Sequence, residues 1–133
     1  MRRGVALSRQ PLILIIEDDY FLQTDLEQTL DDAGFASESA SSGEEALTRF
    51  AGDTKKYKAL MTDIRLNGGL NGWDVARHLR AMEPALPVIY VTGSSAEDWA
   101  SHGVPNSILV QKPFARGQLV SAVSNLFTVA PPS

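Results

Sequence analysis

The chain has 133 residues, 44% of them hydrophobic and 21% charged, with a formal net charge of −4. These totals describe one ordinary globular domain with its own core, and the acidic balance argues against a nucleic-acid-binding surface, which would be basic. There is no cysteine, which excludes disulfides, thiolate chemistry and Cys-based zinc sites.

The start, Met1-Arg2-Arg3-Gly4, is basic, but the apolar run Leu12–Ile16 behind it is too short for a signal-peptide core and ends in acids. No stretch approaches the length of a transmembrane helix. The expectation is therefore a cytoplasmic chain with no membrane contact. Residues 1–10 read as a flexible tail and 129–133 as a frayed one, with a single domain over 11–128.

Leu12–Ile16 has no polar alternation, as in a strand buried on both faces of a parallel sheet. Leu22, Leu26, Leu30 and Ala33 then recur at helical spacing, and Gly34 fits the helix stop. Asp19 suits the N-cap of that helix. Residues 35–40 read as a weak second strand. Ser42-Gly43-Glu44-Glu45 has the capping-box form and opens a helix through Ala46, Leu47 and Phe50. Residues 59–62 form the third strand, and Asn67-Gly68-Gly69-Leu70-Asn71-Gly72 a turn-rich loop. A helix carrying Trp73, Ala76, Leu79 and Arg80 stops near Pro84. Residues 88–91 form the fourth strand, 96–101 a short helix and 107–110 the fifth strand. A last helix carries Leu119, Val120, Val123, Leu126 and Phe127. This is (βα)₅, an α/β fold with a five-stranded parallel sheet and helices on both faces.

In open α/β sheets, ligands sit at the carboxyl ends of the strands. The first strand delivers Glu17, Asp18 and Asp19 there, the third Asp63, the fourth Thr92 and the fifth Lys112. Adjacent carboxylates repel, and such a cluster persists when a cation neutralises it; hard oxygen ligands point to Mg²⁺ or Ca²⁺ rather than zinc. A carboxylate beside Mg²⁺, a hydroxyl and a lysine can take a phosphoryl group as an acyl phosphate. The metal and Lys112 would offset the charge on the transferring oxygens.

With Ile15-Ile16-Glu17-Asp18-Asp19, Thr62-Asp63-Ile64-Arg65-Leu66, Asn71-Gly72, Val91-Thr92-Gly93 and Gln111-Lys112-Pro113-Phe114 in this order, the chain resembles a response-regulator receiver domain of two-component signalling, over roughly residues 11–128. The resemblance implies the flavodoxin-like strand order 2-1-3-4-5. It implies that Asp63 is the phosphoacceptor. Mg²⁺ would be held by Asp18, Asp63, the Arg65 backbone carbonyl and, through water, Glu17. Thr92 would hydrogen-bond the phosphoryl group and draw its loop inward. Lys112 would pair with the acids and then the phosphate, aimed by a cis bond before Pro113. The donor would be a histidine kinase or histidine phosphotransfer protein. Such a domain assists its own phosphorylation and dephosphorylation but turns over no separate substrate. With no DNA-binding segment following, output would run through a downstream protein or self-association.

The chain departs from the family pattern at several places. Asn67 stands where a proline is common, the Gly68-Gly69 loop is one residue longer, and Gly93 follows Thr92. Leu109 replaces the aromatic that swings inward on activation, which puts the Thr-aromatic coupling in doubt and leaves the loop 93–97 and the fourth helix as the switching surface. Arg65 and Ser94 occupy the places that tune phosphate lifetime. Trp73 is expected to pack near the acidic loop, Trp99 either to pack locally or to meet a partner, and His78 and His102 to lie on the surface.

Three alternatives have different chemistry. A phosphorylation-independent interaction module on the same fold is favoured by Leu109 and opposed by Asp18, Asp63, Thr92 and Lys112. A haloacid-dehalogenase-like phosphatase needs Asp-x-Asp, and Asp63-Ile64-Arg65 lacks the third residue. A flavin site would need a phosphate cradle after the first strand, where this chain is acidic. The cognate kinase, and whether this is a stand-alone regulator or part of a hybrid kinase, stay open.

Overall fold

The computed structural model describes residues 10–128. The tails expected at 1–10 and 129–133 lie outside those residues, apart from Gln10. The elements follow as β1 (Leu12–Ile16), α1 (Tyr20–Asp32), β2 (Ala36–Ala40), α2 (Gly43–Gly52), β3 (Ala59–Asp63), α3 (Gly72–Met82), β4 (Val88–Thr92), a 3₁₀ turn (Ala96–Asp98) running into α4 (Trp99–His102), β5 (Ser107–Gln111) and α5 (Arg116–Thr128). All four strand pairs are parallel, in the order β2-β1-β3-β4-β5, as the resemblance implies.

The central strands explain why the sheet needs two helical layers. In β1, β3 and β4 nearly every residue is buried, so each face needs its own cover. On one face Leu14, Ile16, Leu60, Val88 and Tyr90 pack with Phe50 of α2 and Trp73, Val75 and Leu79 of α3. On the other, Ile13, Ile15, Met61, Ile89 and Val110 pack with Leu26 and Leu30 of α1 and Leu119 and Val123 of α5. The weak second strand is an edge strand. Its Glu38 accepts from the Tyr57 hydroxyl at 2.7 Å and pairs with Lys56 at 3.0 Å.

Local chemistry sets the ends. Gly34 closes α1 with φ +92°, while its N–H donates to Asp31 O and that of Phe35 to Leu30 O. That is a Schellman ending, in which glycine is selected by the left-handed backbone. Ser42 caps α2 as expected, accepting from Glu45 N at 3.1 Å. The reciprocal bond differs from the expected box, because Glu45 reaches Ser41 N instead of the cap's own N–H. The box is complete at α3, where Asn71 accepts from Asp74 N and Asp74 accepts from Asn71 N.

Candidate functional site

Parallel register gathers the charged residues. Ile16 pairs with Thr62 and Asp63 with Val91, so Glu17, Asp63 and the residues after β4 and β5 meet at one carboxyl edge. Glu17, Asp63 and Lys112 continue the alternation of Ile15, Met61 and Val110, all buried in the cluster on the α1/α5 face. Lys112 Nζ donates to Asp63 Oδ2 at 3.1 Å and lies 3.6 Å from Glu17 Oε1. Asp63 Oδ1 accepts from Ile64 N at 2.7 Å.

The three consecutive acids have separate places. Glu17 turns inward and is 2% exposed. Asp18 lies at the mouth of the pocket, its Oδ2 accepting from Asn67 N at 2.8 Å. Asp19 caps α1, accepting from Phe21 N at 2.9 Å and Leu22 N at 3.2 Å.

Glu17 carries the clearest electrostatic signature. Its Oε2 accepts from Asp19 N at 3.1 Å, but its buried Oε1 has no hydrogen-bond partner. A buried unsatisfied carboxylate oxygen is costly, and the 3.6 Å to Lys112 is too long for a hydrogen bond. Burial pushes the Glu17 carboxyl up from 4.5 to about 7; the charge of Asp63 adds to this, while the Asp19 amide and Lys112 oppose it. Desolvation therefore outweighs the lysine's attraction. Carboxylate oxygens of Glu17, Asp18 and Asp63 lie within 4.8 Å of one another. Three hard oxygen donors, one of them buried and unpartnered, fit a small divalent cation.

Thr92 is buried, and its Oγ1 accepts from Ser94 N at 3.3 Å and Ser95 N at 3.1 Å. Its hydroxyl oxygen thus caps its own loop. The Lys112–Pro113 bond is cis. Arg65 is exposed in the turn after β3. Leu109 packs against the α2/α3 cluster. Trp73 is a core residue, its ring 4.8 Å from that of Tyr90 and 5.9 Å from His102. For Trp99, local packing is what the structure contains: its Nε1 donates to Ser107 Oγ at 2.9 Å and its ring covers Gly103. His78 and His102 are both exposed.

The structural roles of several residues were not assigned from sequence. A Cβ on Gly72 would lie 2.2 Å from Asp63 O and 2.8 Å from Ile64 Cα, so only glycine lets α3 start against the backbone of Asp63. The Asn71-x-x-Asp74 pattern was a readable cap signal. Glu44 accepts from Gly69 N at 3.0 Å across 25 residues, a contact with no local signal.

Comparison with known proteins agrees with this geometry. The family description "Response regulator receiver domain" matches residues 13–124. A response regulator receiver protein from Sinorhizobium medicae WSM419 has a crystal structure with TM-score 0.87 and 39% identity, covering 92% of this chain and 98% of that one. The receiver domain of sensor histidine kinase PA1611 from Pseudomonas aeruginosa PAO1, solved with a magnesium ion coordinated in its active site cleft, has TM-score 0.76 and 25% identity, covering 88% and 97%. The C4-dicarboxylate transport transcriptional regulatory protein DctD of Rhizobium meliloti (strain 1021) is 33% identical over 87% of this chain but only 25% of its own length. A response regulator receiver protein of Anaeromyxobacter sp. (strain Fw109-5) is 38% identical over 84% of this chain and 43% of its own. The chain thus spans about a quarter to a half of these curated relatives. Family match, fold and pocket agree: this chain belongs to the response-regulator receiver domain family.

Proposed function

We propose that the chain is a phosphorylation switch in which Asp63 accepts a phosphoryl group from a phosphohistidine on a histidine kinase or phosphotransfer protein, in a Mg²⁺-dependent reaction. The observation that carries this reading is the pairing of Asp63 Oδ2 with Lys112 Nζ at 3.1 Å beside a buried Glu17 oxygen that has no partner. Asp18, Asp63, the Arg65 carbonyl and a water on Glu17 would hold the cation. Bound there, Mg²⁺ supplies positive charge that offsets the acids and the phosphoryl oxygens. A solved relative with magnesium in its cleft supports the choice of metal.

The chain's own residues would do the rest. An Asp63 carboxylate oxygen attacks phosphorus in line; the P–O bond forms, the P–N bond breaks, and the donor imidazole keeps the electron pair. Lys112 stays paired with the charge as it moves onto the phosphoryl oxygens. Thr92 keeps its bonds from Ser94 N and Ser95 N while its hydroxyl donates a hydrogen bond to a phosphoryl oxygen. The loop 93–97 moves with it, biasing the surface near α4 that a partner reads. Slow attack by water on phosphorus resets the site. The domain turns over no separate substrate, and its output is a downstream protein or self-association.

The test is intact mass after incubation with acetyl phosphate, with and without Mg²⁺, beside Asp63→Asn. One phosphoryl adduct needing both Mg²⁺ and Asp63 supports the switch. Failure with both acetyl phosphate and a phosphohistidine donor would sink it and favour a phosphorylation-independent interaction module. The packing of Leu109 where the family has a mobile aromatic gives that second reading its one specific support.

A further inference from the structure

The loop between β3 and α3 is tied down at two points. Asn67 N donates to Asp18 Oδ2 at 2.8 Å, and two residues later Gly69 N donates to Glu44 Oε2 at 3.0 Å. Between them Gly68 holds φ +103°. The glycines also make room for the carboxylate: a Cβ on Gly68 would lie 3.2 Å from Glu44 Oε1, and one on Gly69 3.2 Å from Oε2. Glu44 sits in the first turn of α2 and is exposed. Its neighbour Glu45 is committed elsewhere, to Ser41 N and Arg49. The Glu44 carboxylate therefore serves the loop, and it has no other side-chain hydrogen bond among the described residues.

We propose that Glu44 is a positioning residue for the cation site: it anchors the Gly68-Gly69 loop, and the anchored loop holds the Asp18 carboxylate through Asn67 N–H. This rests on the reading of the acid pocket as the Mg²⁺ site. The physical reason is entropy. Ordering a backbone residue costs conformational entropy, and glycine sits at the costly end. Two adjacent glycines beside a metal ligand would leave that ligand loosely held, so that binding the ion would have to order the loop as well. Glu44 orders it beforehand. The Arg65 carbonyl, proposed above as a metal ligand, belongs to the same loop and gains from the same anchor. A neutral acceptor of the same reach serves equally, since the contact is to a backbone N–H.

The experiment is a calorimetric Mg²⁺ titration of the wild-type protein, Glu44→Ala and Glu44→Gln, with amide hydrogen exchange at Asn67 and Gly69 in metal-free protein. Glu44→Ala is expected to weaken Mg²⁺ binding by about tenfold, the low end for residues that orient metal ligands, and to speed exchange at both amides. Glu44→Gln loses the same charge but keeps an oxygen for Gly69 N–H, so it should bind Mg²⁺ about as tightly as wild type. Equal weakening in both variants would show a charge effect at a distance and overturn the inference, as would an Ala variant that binds like wild type. A wild-type protein that binds no Mg²⁺ would overturn the site reading itself, and this inference with it.

Discussion

Replacing Glu17 with glutamine tests whether the pocket is built for a cation. Glu17 is 2% exposed, and burial lifts its carboxyl from 4.5 to about 7. At about 1.4 kcal/mol per unit, ionising it inside the fold costs roughly 3 kcal/mol relative to the unfolded chain. The folded value is the higher one. The cost is therefore absent below pH 4.5, grows as pH rises from 4.5 to about 7, and is complete above that. Metal-free wild type should lose that stability across the window, and Glu17→Gln, with nothing to ionise, should not. The assay is urea unfolding across that pH range in chelator and in Mg²⁺. Subtracting the two proteins' profiles removes the titrating groups that do not interact with Glu17. In chelator the variant should be the more stable above pH 7 by about 2 kcal/mol, somewhat less than the full ionisation cost because its amide faces Lys112. Mg²⁺ should narrow that gap: at a hundred times its dissociation constant a ligand adds about 2.7 kcal/mol, and the variant binds it less well. Parallel pH profiles in chelator would refute the reasoning, showing that Lys112 already neutralises Glu17.

Three further outcomes are expected. Gly72→Ala places a Cβ 2.2 Å from Asp63 O, against backbone that cannot yield; unfolding free energy should fall by about 3 kcal/mol or more, whereas Gly117→Ala, with nothing within 4 Å, should be neutral or gain up to about 1 kcal/mol. Thr92→Val keeps the shape but removes the acceptor for Ser94 N and Ser95 N; it should cost about 1–2 kcal/mol in urea unfolding, still allow the mass adduct on Asp63, and abolish the phosphorylation-dependent change in loop amide shifts. Asn71→Ala breaks the capping box of α3 and should cost about 1 kcal/mol by the same unfolding assay.

The fold was legible because its causes are local. Short apolar runs such as Leu12–Ile16 mark strands covered on both faces, and Gly34 and Ser42 mark helix ends by backbone angle and by a hydroxyl three residues from the amide it caps. The elements lie where the periodicity puts them, with strand ends shifted by a residue: β2 begins at Ala36 rather than 35, and β3, β4 and β5 each run one residue further, to Asp63, Thr92 and Gln111. Those extensions are ladder hydrogen bonds supplied by neighbouring strands, which no single segment can reveal.

At the site, the types and order of residues were readable, and their division of labour was not. Glu17, Asp18 and Asp19 are chemically near-equal in sequence. In the folded chain one is buried with an orphaned oxygen, one faces Asn67 N and one caps a helix. Burial and hydrogen-bond supply are properties of the surrounding elements, so only the tertiary structure assigns them. Gly72 against the Asp63 carbonyl, across one loop, and Glu44 against Gly69, between separate segments, belong to the same class, contacts that no local pattern announces. The sequence by itself determined the alternation of strands and helices and which charged groups reach the carboxyl edge, because strand period and strand direction decide both. The closing of the helical layers over the sheet decided which oxygen lacks a partner, and the place of Glu44 on α2 decided which loop is held, because desolvation and hydrogen-bond geometry exist only once the layers have closed.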